Sequence, residues 1–290
     1  MTVRPKVRVL FTLDCPAAGP KAVPYGPPNW ELSARALYAF SAALLDAGYP
    51  PTLFVSPEAA QEHAPMLEEL ASGGADVGLL VHPPLLRGAG YRHLLGAYSR
   101  AQQEAIVENA KRRLTETLGR RPLSVRSALF SANDATFGAL DALGFRQASL
   151  SSPGRRVKKH HAEWDGAAPD AHRASATDRR GAGDLELLEV PVTTDPTQRN
   201  DGIAPDLAIE NGTLERWHAP LIEAQLQRQD DSAVTFRTLC FVTSTRFPYH
   251  DTSARQRQTL DELLDYLDAL AERYDVAPQT LSATAVEFHG

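Results

Sequence analysis

Several features that mark large protein classes are scarce in this sequence. Only two cysteines, Cys15 and Cys240, occur in 290 residues, so no disulfide framework is expected, although the sequence leaves open whether the two lie close together. Basic residues number 30 against 36 acidic ones and are scattered along the chain, which argues against a nucleic-acid-binding surface. Charges and prolines interrupt every apolar run before it reaches the roughly 18 residues of a membrane helix, so no membrane span is expected.

Short motifs of well-known chemistry are also missing. The sequence has no phosphate-cradling glycine loop, dinucleotide fingerprint, nucleophile elbow or paired Cys-x-x-Cys zinc signature. The apolar run Val9–Leu13 near the N-terminus is too short for a signal-peptide core, which predicts a cytoplasmic protein. Hydrophobic residues make up 43% of the chain and charged residues 23%, as in a globular protein that buries a core.

Short β-rich runs alternate with longer segments of helical periodicity along the whole chain. This alternation predicts an α/β protein, either a barrel or a doubly wound sheet, in a single domain of residues 1–290. The predicted strands are Val7–Leu13, Thr52–Val55, Val77–Val81, Leu123–Ser127, Arg146–Leu150, Glu186–Val192, Thr238–Ser244 and, with the weakest pattern, Leu281–Val286. The predicted helices are Glu31–Ala47, Pro57–Ser72, Ser99–Leu118, Asp134–Leu143, Leu214–Gln227 and Arg255–Tyr274.

Two segments break the alternation. Residues 16–28 hold five prolines and two glycines and are predicted to form a loop after the first strand. Residues 157–183 mix charged residues and histidines with many alanines and glycines, and are predicted to be a long loop insertion. Both loops are expected at the carboxyl ends of strands, where α/β barrels carry their sites.

Three predicted strands end in side chains that can carry chemistry. Asp14 ends the first strand, His82 follows the third, and Arg126 lies at the end of the fourth. Because parallel strands end at one rim, an acid, an imidazole and a guanidinium are predicted to converge there, with Asp14 a suitable partner for Arg126. The structural alternative for Asp14 is a cap of the proline-rich loop.

Other candidate site residues have less support from the sequence pattern. His250 follows the seventh predicted strand and is a candidate acid or base, or alternatively part of a polar cap before the last helix. Cys15 follows Asp14 and is a candidate ligand or nucleophile, although an unactivated cysteine more often serves as a small apolar group. The histidines of the long loop, His160, His161 and His172, are interpreted as solvated residues rather than ligands.

Four motifs follow one another along the chain: Phe11-Thr12-Leu13-Asp14-Cys15, the run Gly74 to Pro83, Ser124-Val125-Arg126, and Leu140 to Phe145. Their order resembles the polysaccharide deacetylase family, also called the NodB-homology domain. The resemblance continues more faintly through Leu187 to Val192. It implies a distorted (β/α)7-type barrel of about seven strand–helix units, in agreement with the alternation.

The resemblance also implies roles for particular residues. Asp14 matches the general base of the family and Arg126 the arginine that orients it. The three metal-ligand positions are occupied by Cys15, Leu80 and Pro84, while His82 lies between two of them. In the family the metal, usually zinc, polarises the carbonyl and activates water. Leucine and proline cannot bind a metal, so the usual ligand set is incomplete.

Three interpretations of this departure stay open. In the first, Cys15 and His82, with Asp14 and His250, bind zinc or another divalent metal in a rebuilt site. In the second, no metal takes part, Asp14 is the base and His82 or His250 the acid. Both predict a deacetylase-like hydrolase that acts on an N-acyl group of a sugar-like or specialised-metabolite small molecule. In the third, the chain is a non-catalytic relative that binds a ligand or a partner.

Overall fold

A computed structural model describes residues 4–290 of the chain. Its main feature is a nine-stranded sheet, in which eight strands follow one path and the ninth pairs beside the first. The strands of this sheet are β1 (Lys6–Cys15), β2 (Thr52–Val55), β3 (Asp76–Val81), β4 (Ser124–Ser127), β5 (Gln147–Ala148), β8 (His172–Arg173), β9 (Leu188–Glu189), β10 (Arg237–Ser244) and β11 (Asp275–Pro278), and a separate hairpin joins β6 (Arg156–Val157) and β7 (Ala162–Glu163). All neighbours in the large sheet are parallel except β8 and β9.

The sheet curls into a distorted barrel, as the sequence predicts. The strand order is β10-β1-β2-β3-β4-β5-β9-β8, so β10 and β9 lie near opposite ends of the path. The segment after β9 returns to β10, because the Thr193 amide donates to the Cys240 carbonyl at 3.1 Å and the Cys240 amide donates to Thr193 Oγ1 at 2.9 Å. We call this junction the seam, defined by residues 190–194 and β10.

Within residues 4–290, seven α-helices cover the barrel or close its end. They are α1 (Trp30–Asp46), α2 (Pro57–Ser72), α3 (Arg100–Leu118), α4 (Thr136–Ala142), α5 (Ala219–Asp231), α6 (Arg255–Leu270) and α7 (Leu281–His289). The start signals act as expected at two of them: Ser56 accepts a hydrogen bond from the Ala59 amide, and Ser99 forms a capping box with Gln102. Of the helices in residues 4–290, none is long and apolar enough to cross a membrane.

The C-terminal run Leu281–Val286 is helical, so its prediction as a strand was wrong. Thr280 caps α7 by accepting a hydrogen bond from the Ala283 amide. Leu281 and Ala285 are buried in the small cluster that fills the barrel interior, together with Leu10. This helix closes the amino-terminal end of the barrel with one face buried, and its short apolar run is also typical of a buried strand. The last strand is instead β11, which begins directly after the predicted helix Arg255–Tyr274.

The segment predicted as a long loop, residues 157–183, contains short regular elements and a buried anchor. Part of it forms the hairpin of β6 and β7, and β8 pairs with β9 in the large sheet. Trp164 is 0% exposed, and its indole Nε1 donates a hydrogen bond to the Phe130 carbonyl at 2.8 Å. Burial of such a large side chain fixes this insertion against the loop that follows β4.

Candidate active site

A cavity of about 410 Å³ lies at the carboxyl-terminal end of the barrel strands. Asp14 at the end of β1, Leu80 in β3 and Ser244 at the end of β10 contribute to its wall. Loops supply the remaining polar residues of the wall: His82, Arg155, Lys159, His160, Asp206, Glu210, Asn211 and Arg246, with Thr243 from β10. A concave site of this size with converging polar groups is the usual form of a small-molecule site.

An ion pair between Asp14 and Arg126 forms part of the cavity floor. Nη1 of Arg126 donates to Asp14 Oδ1 at 3.1 Å and to Thr12 Oγ1 at 2.8 Å. The arginine side chain is 0% exposed, whereas that of Asp14 is 20% exposed and reaches the cavity. Burial raises the pKa of Asp14, and the Arg126 guanidinium acts in the opposite direction. The arginine thus fixes a carboxylate that remains open to a ligand.

The local sequence explains how a charged arginine comes to lie inside the barrel. Successive residues of a strand point to opposite faces, so Ser124 and Arg126 of β4 face inward while Val125 packs outward. The guanidinium lies 4.3 Å from the ring centroid of Phe54 and donates to the carbonyl and hydroxyl oxygens of Ser149, both at 2.7 Å. A fixed guanidinium with its donors satisfied tolerates this burial.

His82 lies on the cavity wall and is 7% exposed. Burial lowers its pKa to about 4, so the imidazole is neutral at pH 7. Its Nδ1 atom is enclosed and has no hydrogen-bond partner among residues 4–290. The ring therefore offers Nε2 as the nitrogen available to a ligand.

Cys15 does not share the cavity with Asp14. It follows Asp14 directly in β1, so its side chain points to the opposite face of the strand, and it is buried in the large hydrophobic cluster. Burial raises the pKa of its thiol well above the usual value. Cys240 also remains a free cysteine, with its Sγ 3.8 Å from Ser149 Oγ inside the barrel. The two thiols thus pack in different clusters.

The residues present do not fit the zinc site that the family resemblance implies. Of the three ligand positions, Leu80 offers only carbon, Pro84 is exposed and has no donor, and Cys15 faces away from the cavity. Within residues 4–290, no group of three His, Cys, Asp or Glu side chains is placed to hold a metal ion.

The histidines outside the rim have separate positions. His250 is half-buried and is not among the residues of the cavity wall. His160, interpreted as a solvated loop residue, lies at the cavity: its Nε2 is 3.2 Å from the hydroxyl of Tyr25. Arg246 Nη1 also donates to the Pro24 carbonyl at 2.7 Å. These two contacts connect the proline-rich loop to both sides of the cavity.

Sequence reasoning missed three charged residues of the wall. Asp206 and Glu210 lie in the irregular segment before α5, and Arg155 lies in the loop after β5. None of them ends a regular strand, so they could not be predicted from the expectation that sites lie at strand ends. Burial raises the pKa of Glu210 to about 7, while its Oε2 accepts a hydrogen bond from Thr243 Oγ1 at 2.9 Å.

Comparison with known proteins shows the fold. No family model and no curated protein matches the sequence. Among solved structures, a candidate polysaccharide deacetylase from Mycobacterium smegmatis has a TM-score of 0.64 at 16% identity, covering 98% of this chain and 90% of that protein. An allantoinase has a TM-score of 0.62 at 14% identity, with coverages of 98% and 90%. A candidate polysaccharide deacetylase from Pseudomonas aeruginosa PAO1 has a TM-score of 0.62 at 15% identity, with coverages of 98% and 91%. The resemblance seen in the sequence is confirmed at the level of the fold.

Proposed function

We propose that the chain is a deacetylase-like hydrolase that cleaves the amide bond of an N-acylated small molecule, sugar-like or otherwise polar, without a metal. The observation that carries this proposal is the buried Arg126, which holds the carboxylate of Asp14 against an open cavity. A purely structural ion pair has no need of a cavity over its carboxylate. The fold shared with candidate deacetylases and an allantoinase is consistent with hydrolysis of a carbon–nitrogen bond.

Asp14 is the proposed general base. A water molecule in the cavity gives a proton to the Asp14 carboxylate, and its oxygen forms a bond to the carbonyl carbon of the substrate. Because burial raises the pKa of Asp14, the ionised carboxylate is a stronger base than an ordinary aspartate. The hydrogen bond from Arg126 fixes the direction from which the carboxylate accepts this proton.

His82 is the proposed partner of the carbonyl oxygen. Since its Nδ1 is enclosed without a partner, we assign the ring proton to Nε2, which can then donate a hydrogen bond into the cavity. A neutral imidazole can stabilise the negative oxygen of the tetrahedral intermediate without giving up its proton. Its pKa of about 4 keeps it in this neutral form over the working pH range.

Glu210 is the proposed general acid, in place of His250. With a pKa of about 7, a substantial fraction of Glu210 is protonated near neutral pH. As the carbon–nitrogen bond breaks, Glu210 gives its proton to the leaving nitrogen, and the products are an amine and a carboxylic acid. Proton exchange with water then returns Asp14 and Glu210 to their starting states.

A direct test compares the wild type with Asp14→Asn on a panel of N-acetylated amino sugars and N-acetylated amino acids, with released acetate as the readout. The variant is expected to lose at least about 100-fold in kcat, as removal of a general base does. Urea denaturation of both proteins serves as the control for folding. Glu210→Gln is expected to lower kcat and to remove the decline in rate above about pH 7 that deprotonation of Glu210 causes.

Binding without turnover is the second candidate function. It is favoured by Leu80 and Pro84, which occupy two positions where the resembled family has metal ligands. If no N-acetylated compound is hydrolysed by the wild type and Asp14→Asn lowers only its stability, the ion pair is structural and hydrolysis is refuted. Hydrolysis by the wild type that Asp14→Asn abolishes, with folding intact, would reject binding alone.

A further inference from the structure

Arg155 is a positively charged residue of the cavity wall, and Asp206 is the carboxylate that acts on its charge. Its Nε is enclosed and has no hydrogen-bond partner, and no ion pair joins the guanidinium to another residue within 4–290. The guanidinium lies over the face of Phe130, whose ring centroid is 5.0 Å from Cζ. Enclosure of a guanidinium N–H without an acceptor is unfavourable, so this half-buried group is suited to an acceptor supplied by a ligand.

Arg155 differs from Arg126 in its hydrogen-bond acceptors. Both arginines stack on a phenylalanine ring, but Arg126 has acceptors in Thr12, Asp14 and Ser149, whereas the guanidinium of Arg155 has none in the described part of the chain. The hydrogen-bond donors of Arg126 are therefore used within the protein. Those of Arg155 are available to a ligand.

The charges around Arg155 favour an anion. Asp206 is the carboxylate that acts on it, but its Oδ1 already accepts hydrogen bonds from Asn211 Nδ2 at 2.5 Å and from the Ala208 amide at 3.2 Å. Lys159 lies beside Arg155 on the wall and has no ion pair within the described residues. Burial and the neighbouring cations lower the pKa of His160, which keeps that imidazole neutral at pH 7.

The other charged groups of the wall do not reverse its excess of positive charge. Asp14 is paired with Arg126, and Glu210 holds its proton up to about pH 7. Arg246 adds a third positive side chain, although it also donates to the Pro24 carbonyl. With Asp206 set against three cations, an anionic ligand is favoured over a neutral one.

We propose that Arg155 binds a carboxylate of the substrate, so that the site takes N-acylated compounds that carry a carboxylate, such as N-acyl amino acids. The proposal rests on the proposed function, since it names a substrate class for the same cavity. The planar guanidinium can donate two parallel hydrogen bonds to a carboxylate, which a neutral amide does not match in strength.

The test is a calorimetric comparison of two probes of the same shape, N-acetylglycine and the neutral N-acetylglycinamide. The wild type is expected to bind the carboxylate at least about tenfold more tightly than the amide. Arg155→Met is expected to abolish this preference, and Arg155→Lys to retain part of it. The matched control is Arg156→Met, because the neighbouring Arg156 is exposed and pairs with Asp165 instead of lining the cavity.

Several outcomes would overturn the assignment. These are equal binding of the two probes, no binding of either, a preference that survives in Arg155→Met, or tighter binding of inorganic phosphate than of N-acetylglycine. If Arg155→Met fails to fold, as judged by urea denaturation, the Arg155→Lys comparison decides. Failure of the proposed function has a different signature: a carboxylate preference that depends on Arg155, with no hydrolysis of any probe, supports the anion site and rejects the reaction.

Discussion

Glu189 offers a sharp test of how burial controls charge in this barrel. Its Oε1 accepts hydrogen bonds from the amides of Leu150 at 2.9 Å and Ser151 at 2.7 Å, while its Oε2 is enclosed and has no partner among residues 4–290. The side chain is 0% exposed. Burial raises its pKa from 4.5 to about 7, although the two amides and the charge of Arg126 act to lower it.

The direction of the pH effect follows from this rise. The folded protein keeps the proton on Glu189 to a higher pH than the unfolded chain does, so folding is favoured at low pH and the advantage is lost as the pH rises towards 7. A rise of this size corresponds to about 3 kcal/mol at high pH, of which about 2.5 kcal/mol is lost between pH 5 and pH 8. Glutamine has the shape of the protonated acid and does not titrate.

The assay is urea denaturation of the wild type and Glu189→Gln at pH 5 and pH 8, followed by tryptophan fluorescence. The variant is expected to lose about 2.5 kcal/mol less free energy of unfolding than the wild type over this interval. Glu210 titrates in both proteins, so its effect cancels in the comparison. Glu186→Gln, at an exposed carboxylate near β9, is the control and should follow the wild type. Parallel pH profiles for the wild type and Glu189→Gln would refute the reasoning.

Three further predictions concern the cavity. Arg126→Met is expected to lower the free energy of unfolding by about 3 kcal/mol or more, because it removes one partner of a buried ion pair, and a loss below about 1 kcal/mol in urea denaturation would contradict this. Elemental analysis of the purified protein is expected to find zinc well below one equivalent. Leu80→His adds an imidazole to the wall that holds His82 and should raise the zinc content. Stoichiometric zinc in the unmodified protein would reject the metal-free assignment. Tyr25→Phe removes the hydroxyl that meets His160 and is expected to speed the release of N-acetylglycine in stopped-flow experiments, so an unchanged rate would show that this contact does not limit exit.

The sequence predicted the fold well because burial on both faces leaves a plain pattern. Strands β1, β3 and β10 are continuous apolar runs, and their bounds in the structure lie close to the predicted ones. The exception was the C-terminal run 281–286, where a helix that closes the end of the barrel has the composition of a strand. Its apolar run is too short for its periodicity to distinguish a helix from a strand.

Only those residues of the candidate site that lie at strand ends could be predicted from the sequence. Asp14, His82 and Arg126 could be placed at one rim, since parallel strands end together. The alternation of side chains along β1 could have excluded Cys15 from the same cavity. Arg155 and Glu210 could not be placed, because they lie in irregular segments whose path depends on tertiary contacts rather than on a repeating pattern.

The seam of the barrel has a consequence for motion. Eight successive residue pairs join β1 to β10, whereas residues 190–194 are joined to β10 through the backbone and side chain of Thr193. Fewer cross-links allow opening at a lower free energy, so the amide of Thr193 should exchange with deuterium faster than those in the middle of β1. Val242 and Thr243 of β10 also line the cavity. Local opening is therefore expected first on the seam side of the cavity, and last at the carboxylate and guanidinium on β1 and β4.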